Sequence, residues 1–176
     1  MGTVRAVVGI GNPGREYAGT RHNVGFEVLD ILAGMAGTAW RSGFSGQYAD
    51  CRHGEAKVVL LKPQTYVNLS GRSVGELSRY YGIEPADFLV VSDDYNLPVA
   101  RLRLRLGGAS GGHKGLTSVI GTIGPDFYRL RIGIGEPKTE ASEFVLSRFS
   151  KSERELMDIA VRTAADAVSD WLHLPY

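Results

Sequence analysis

The sequence predicts an α/β fold: a single domain over residues 1–176, built on one twisted mixed β-sheet with helices on both faces. Three observations carry this expectation. Short β-branched runs interleave with amphipathic helical patterns along the chain, the order that builds sheets with crossover helices. Strand patterns at 47–53 and 56–61 adjoin His53-Gly-Glu55 and read as a hairpin, so the sheet holds an antiparallel pair. The 176 residues are 43% hydrophobic and 22% charged, enough to bury one substantial core and close to a globular norm.

Taken in order, residues 4–10 form an apolar β-branched strand stopped by Gly11-Asn-Pro-Gly14. From Asn23 to Met35 the residues Val24, Val28, Leu29, Ile31, Leu32 and Met35 recur at helical spacing, and Gly37 suits the C-terminal cap. The hairpin follows. A helix is expected over about 70–81, ended by Gly82, and a strand over 88–92. Residues 101–106 alternate Arg and Leu, predicting a strand with one basic and one apolar face. A glycine-dense loop spans 107–115, a short helix 116–123 and a further strand 127–134. In the last helix Ser152 and Glu155 are expected to form a capping box, with Leu156, Ile159, Ala160, Ala164, Ala167, Val168 and Trp171 as its buried stripe.

Composition narrows the function classes. No run approaches the roughly 20 apolar residues of a membrane span, and the start of the chain lacks the pattern of a secretory signal, so a cytoplasmic protein is expected. The lone Cys51 excludes an intramolecular disulfide. A net charge of +1 gives no bulk attraction for nucleic acid, so any such surface must come from local clustering.

Three motifs point to other chemistries. Gly9-Ile-Gly-Asn-Pro-Gly14 satisfies the dinucleotide fingerprint, but the polar residues 15–20 do not open a helix and Asp30 falls within one rather than at a strand end. No nucleotide cofactor is expected. Gly108-Ala-Ser-Gly-Gly112 matches a nucleophile elbow around Ser110, yet the preceding strand is basic, and only His113 and His173 follow it. His22, His53, His113 and His173 show no ligand spacing, so no metal is expected.

Four polar residues fall where strands end and helices begin, which is where clefts open in such sheets: Asn12, His22, Asn68 and Asp93. Each alone has an ordinary reading as a cap or turn residue. The segment Gly9-Ile-Gly-Asn-Pro-Gly-Arg-Glu-Tyr-Ala-Gly-Thr-Arg-His-Asn-Val-Gly25 resembles the signature opening of bacterial peptidyl-tRNA hydrolases. So do Lys62-Pro-Gln-Thr-Tyr-Val-Asn-Leu-Ser-Gly71, Asp93-Asp-Tyr-Asn-Leu-Pro98, Gly111-Gly-His-Lys-Gly-Leu116, Arg129-Leu-Arg-Ile-Gly-Ile-Gly135 and Phe144-Val-Leu146, in the family's order and over nearly the whole chain.

The resemblance implies hydrolysis of the ester joining a peptide to tRNA, with His22 as the general base that activates water. Asp93 is implied as the carboxylate that orients His22, Asp94 being the weaker candidate. Asn12 and Asn68 are implied in binding substrate, and Tyr17 and Tyr66 in lining the groove, where aromatic faces can stack on the terminal adenine. Lys114 departs from the asparagine usual in the family; lysine donates hydrogen bonds but accepts none, which puts a water-positioning role in doubt. Arg101, Arg103 and Arg105 share one strand face by spacing, as do Arg129 and Arg131. By resemblance Arg105 and Arg131 match the cations that hold the tRNA 5′-phosphate. The partner expected is therefore peptidyl-tRNA, engaged at its acceptor end and 5′-phosphate, by a monomer without cofactor. Two rivals keep much of the same pattern: a non-catalytic RNA-binding relative, and an esterase using Ser110.

Overall fold

Residues of the first strand alternate between two apolar environments, Ala6 and Val8 facing one way and Val7 the other, all fully buried. A strand buried on both faces needs cover above and below the sheet. The computed structural model, which describes residues 3–175, supplies it. Seven strands form one sheet: β1 (Val4–Gly9), β2 (Arg41–Gly43), β3 (Gly46–His53), β4 (Ala56–Pro63), β5 (Phe88–Asp94), β6 (Leu102–Leu106) and β7 (Tyr128–Gly133). Their order is β2-β3-β4-β1-β5-β7-β6. The strands β4, β1, β5 and β7 are mutually parallel, while β2, β3 and β6 pair antiparallel at the two edges. The expected mixed sheet, including its hairpin, is what forms. The reading of one domain over 1–176 extends at residues 1, 2 and 176 outside the described residues.

The helices are α1 (Val24–Ala36), α2 (Ser70–Tyr81), α3 (Lys114–Ile123), the single turn α4 (Ala141–Phe144) and α5 (Lys151–Leu172). On one face α1 and α5 bury Val28, Leu29, Val161, Val168 and Trp171 against Val7, Leu89 and Val91. On the other, α2 and α3 bury Val74, Leu77, Leu116 and Val119 against Ala6, Val8 and Val90. Each such side chain contributes about 1.5–3 kcal/mol of burial. Helix α2 ends as expected at Gly82, whose φ of 64° is the left-handed cap that a side chain would strain. Close approach matters at Gly25: a Cβ there would meet Val91 O at 2.6 Å and Ile10 O at 2.7 Å, so only glycine lets α1 start directly over the ends of β1 and β5.

Several boundaries differ from expectation. His22 does not open α1 but lies in a 3-10 turn, Arg21–Asn23, just before it. Met35 is 62% exposed rather than in the stripe, in the exposed last turn of the helix. Helix α3 begins two residues early, at Lys114, because His113 caps it and glycine at 115 is tolerated in a first turn. The capping box belongs to Ser150 and Glu153, not Ser152 and Glu155. Of the expected stripe, Ala160, Ala164, Val168 and Trp171 are buried and Ala167 is partly buried, while Leu156 and Ile159 are exposed and Met157, Val161 and Ala165 are buried in addition. Strand β6, at the sheet edge, does not bury its leucine face fully: Leu104 and Leu106 are exposed. On β7, Arg129 is 1% exposed instead of solvated.

Candidate active site

The parallel strands β4, β1 and β5 end on the same side, and β1 between them is where the order of connection reverses. Open α/β sheets form their cleft at such a point. A cavity of about 360 Å³ lies there, lined by Asn12, His22, Tyr66, Asn68, Asp93, Tyr95, His113 and Lys114, with Ala141, Ser142, Val145 and Leu146 forming the opposite wall.

Its centre is a carboxylate shared by two imidazoles. Asp93 is 1% exposed, and its Oδ2 lies 2.8 Å from His22 Nδ1 while its Oδ1 lies 2.8 Å from His113 Nε2. The tautomer of His113 is fixed by its other nitrogen. Nδ1 accepts the backbone N–H groups of Gly115 and Leu116 at the start of α3, so the proton sits on Nε2 and is donated to Asp93. On His22 the Nδ1–H faces the carboxylate, which leaves Nε2 with its lone pair for the cavity. Burial opposes charging of His22, but the charge of Asp93 and its hydrogen bond outweigh burial and hold the imidazole above its usual 6.5. Burial likewise opposes ionisation of Asp93, yet the two imidazoles hold it well below the ordinary carboxylate range.

The backbone around His22 is tied to the far wall. His22 N–H donates to Val145 O at 2.7 Å and Arg21 N–H to Ser147 O at 2.9 Å. The Arg21 guanidinium lies between the rings of Phe144 and Phe149 and makes two bonds to Glu153. Asn12 is held by a reciprocal pair with Asn23, and its Oδ1 accepts Val67 N–H at 3.1 Å, which fixes the 3-10 turn Val67–Leu69 carrying Asn68. Asn12 itself lines the cavity.

The structure brings together Asn12, His22, Tyr66, Asn68, Asp93 and Lys114. It does not bring Tyr17 into the lining; that residue lies half-buried in the 3-10 turn Arg15–Tyr17. Asp94 turns away to cap Asn96 N–H and face Arg131 at 3.6 Å. Arg105 and Arg131 lie on adjacent strands outside the cavity. Sequence reasoning missed His113, whose signal was its place before a helix and after paired glycines. It also missed Asn23, and the wall at 141–146.

Among the described residues no base pairs with Ser110: its Oγ accepts Gly112 N–H, and both nitrogens of the neighbouring His113 are engaged elsewhere. The Gly9–Gly14 segment runs into a 3-10 turn, not the helix a dinucleotide site requires. His22, Asp93 and His113 place three ligand-type atoms within 4.8 Å of one another, so the histidines are less scattered than their spacing suggested. A cation bound there would have to displace both protons shared with Asp93.

A family model described as peptidyl-tRNA hydrolase matches residues 6–175. The chain is 45% identical over 171 residues to the peptidyl-tRNA hydrolase of Desulfitobacterium hafniense, covering 96% of this chain and 92% of that one. It is 44% identical to that of Rhodopirellula baltica, covering 96% and 91%. The crystal structure of peptidyl-tRNA hydrolase from Acinetobacter baumannii is similar with a TM-score of 0.89 at 40% identity, over 94% of this chain and 87% of that one.

Proposed function

The chain belongs to the peptidyl-tRNA hydrolase family, and from that premise we propose that it hydrolyses the ester of peptidyl-tRNA with His22 as general base. One observation carries the reading: the His22 Nε2 lone pair opens on the cavity while Nδ1 is held by buried Asp93. Water between Nε2 and the substrate carbonyl gives its proton to Nε2 as its oxygen attacks carbon. The tetrahedral adduct then expels the ribose oxygen, which takes that proton and leaves as a hydroxyl, releasing the peptide acid and free tRNA. Asp93 fixes the ring and stabilises the imidazolium that forms between these steps.

Asn12 and Asn68 offer amide groups to the peptide and terminal nucleotide, and exposed Tyr66 offers a face for the terminal base. Arg105 and Arg131 bind the 5′-phosphate, outside the cavity but on the same molecule. Lys114 lines the cavity in place of the family's usual asparagine and brings a cation there on which the reaction does not depend. Among the described residues no helix is long and apolar enough to cross a membrane, and we place the protein in the cytoplasm as a monomer recycling tRNA.

The test incubates purified wild type, His22→Ala and Ser110→Ala with N-acetyl-aminoacyl-tRNA. Release by wild type and Ser110→Ala, with loss of at least about a hundredfold in His22→Ala, is expected. Absence of release by wild type would make the chain an RNA-binding relative, and loss confined to Ser110→Ala would make it a serine esterase.

A further inference from the structure

The β6–β7 pairing sets arginine opposite arginine: Arg103 faces Arg131 and Arg105 faces Arg129. Like charges directly opposed weaken a sheet, so a cost is built into this corner. The heaviest share falls on Arg129. It is 1% exposed, and among the described residues no carboxylate pairs with it. Its Nη2 donates to Pro125 O at 2.7 Å and its Nη1 to Ala109 O at 3.3 Å, it packs over the Phe127 ring, and its Nε has no partner. Burial and the neighbouring Arg131 cation hold its pKa below the usual arginine value. An unpaired buried charge is costly unless a counter-ion arrives.

The place for that counter-ion is visible in what now occupies it. Arg131 Nη2 also donates to Ala109 O, at 2.7 Å, so two guanidinium groups converge on one neutral carbonyl oxygen. This is the arrangement two arginines make around an oxygen of a phosphate ester. The carbonyl belongs to the 107–112 segment, where Gly107, Gly108, Gly111 and Gly112 all have positive φ, and this segment leads directly into His113.

We propose that Arg129 is a further cation of the tRNA 5′-phosphate site, covered by the 107–112 loop, and that the Ala109 carbonyl holds the position a phosphate oxygen takes on binding. The inference rests on the reading of Arg105 and Arg131 as that site. Exchange of carbonyl for phosphate gives Arg129 its missing counter-charge and frees the loop whose end carries His113, so recognition of the acceptor stem reaches the partner of Asp93.

Two acceptor-stem RNA hairpins, one with a 5′-monophosphate and one with a 5′-hydroxyl, are bound to wild type, Arg105→Ala, Arg129→Met and Arg129→Lys. Wild type is expected to prefer the phosphate by about tenfold or more. Arg129→Met should lose most of that preference and Arg129→Lys should retain part of it, with melting temperature no lower in Arg129→Met, since an unpaired charge is removed. A preference kept by Arg129→Met but lost in Arg105→Ala overturns the role of Arg129 and leaves the phosphate site standing. No preference in wild type overturns both. Hydrogen exchange on wild type is independent of any variant's folding: amides of 107–112 should exchange faster with the phosphorylated hairpin than with the hydroxyl one, and identical exchange overturns the displacement.

Discussion

A carboxylate that serves two imidazoles has no oxygen left over, and this makes Asp93 the residue on which the rest of the site depends. Asp93→Asn keeps the shape but removes the charge that raises His22. Because a general base works deprotonated, wild-type kcat/KM should fall on the acid side with a midpoint above 6.5. In Asp93→Asn burial alone remains, so the midpoint should move to 6.5 or below while the rate drops by about 10²–10⁴. A midpoint unchanged in the variant would show that another group sets the limb. Lys114→Asn should keep most of the activity; a loss beyond about a hundredfold, nearly 3 kcal/mol, would show that the cation has become essential. Local pattern set Asn12, His22, Asn68 and Asp93 near strand and helix ends, and they do line one cavity, but each alone read as a cap or turn residue and their roles came only from the family resemblance. His113 was not legible, since its partner lies 20 residues away and its ring is identified only by both bonds together.

At the scale of elements, the joint between the His22 turn and the wall at 141–149 is fastened by Glu153, which both completes the α5 capping box and receives Arg21. The Arg21 bonds, opposed by partial burial and helped by Ser150, lower its carboxyl to about 2 from an ordinary 4.5. A depressed carboxyl contributes stability that is present above 4.5 and is lost as pH falls toward 2. Wild type should therefore melt higher than Glu153→Gln near neutral pH, and the two melting curves should converge over that acid window. A gap that persists at the acid end would assign the difference to packing instead. The capping residues were misplaced in the sequence because Ser150 and Ser152 both precede a glutamate by three positions. Only the two bonds of the box, Glu153 N–H to Ser150 Oγ and Ser150 N–H to Glu153 Oε1, separate them. The buried stripe of α5 keeps the expected Ala160, Ala164, Val168 and Trp171, and takes Met157, Val161 and Ala165 where Leu156 and Ile159 were expected.

For the whole molecule, sheet class was legible but strand order was not, because pairing of β1 with both β4 and β5 depends on contacts that no local pattern encodes. The same holds for charge. A net +1 conceals a corner where Arg103 and Arg105 are exposed on β6 and Arg101 just before it, while Asp94 is the one carboxylate paired with Arg131 among the described residues. Such a surface binds backbone phosphate without reading bases. Affinity for acceptor-stem RNA should thus be insensitive to sequence and fall as salt rises, and Arg105→Ala should reduce the slope of log affinity against log salt by about one. Hydrolysis of a short N-blocked ester that ends before the stem should show little of this dependence, because it reaches the cavity but not the β6–β7 corner. If Arg105→Ala left the slope intact, the phosphate contact would have to lie elsewhere on the surface. If the short ester showed the full salt effect, the charge that matters would be Lys114 inside the cavity.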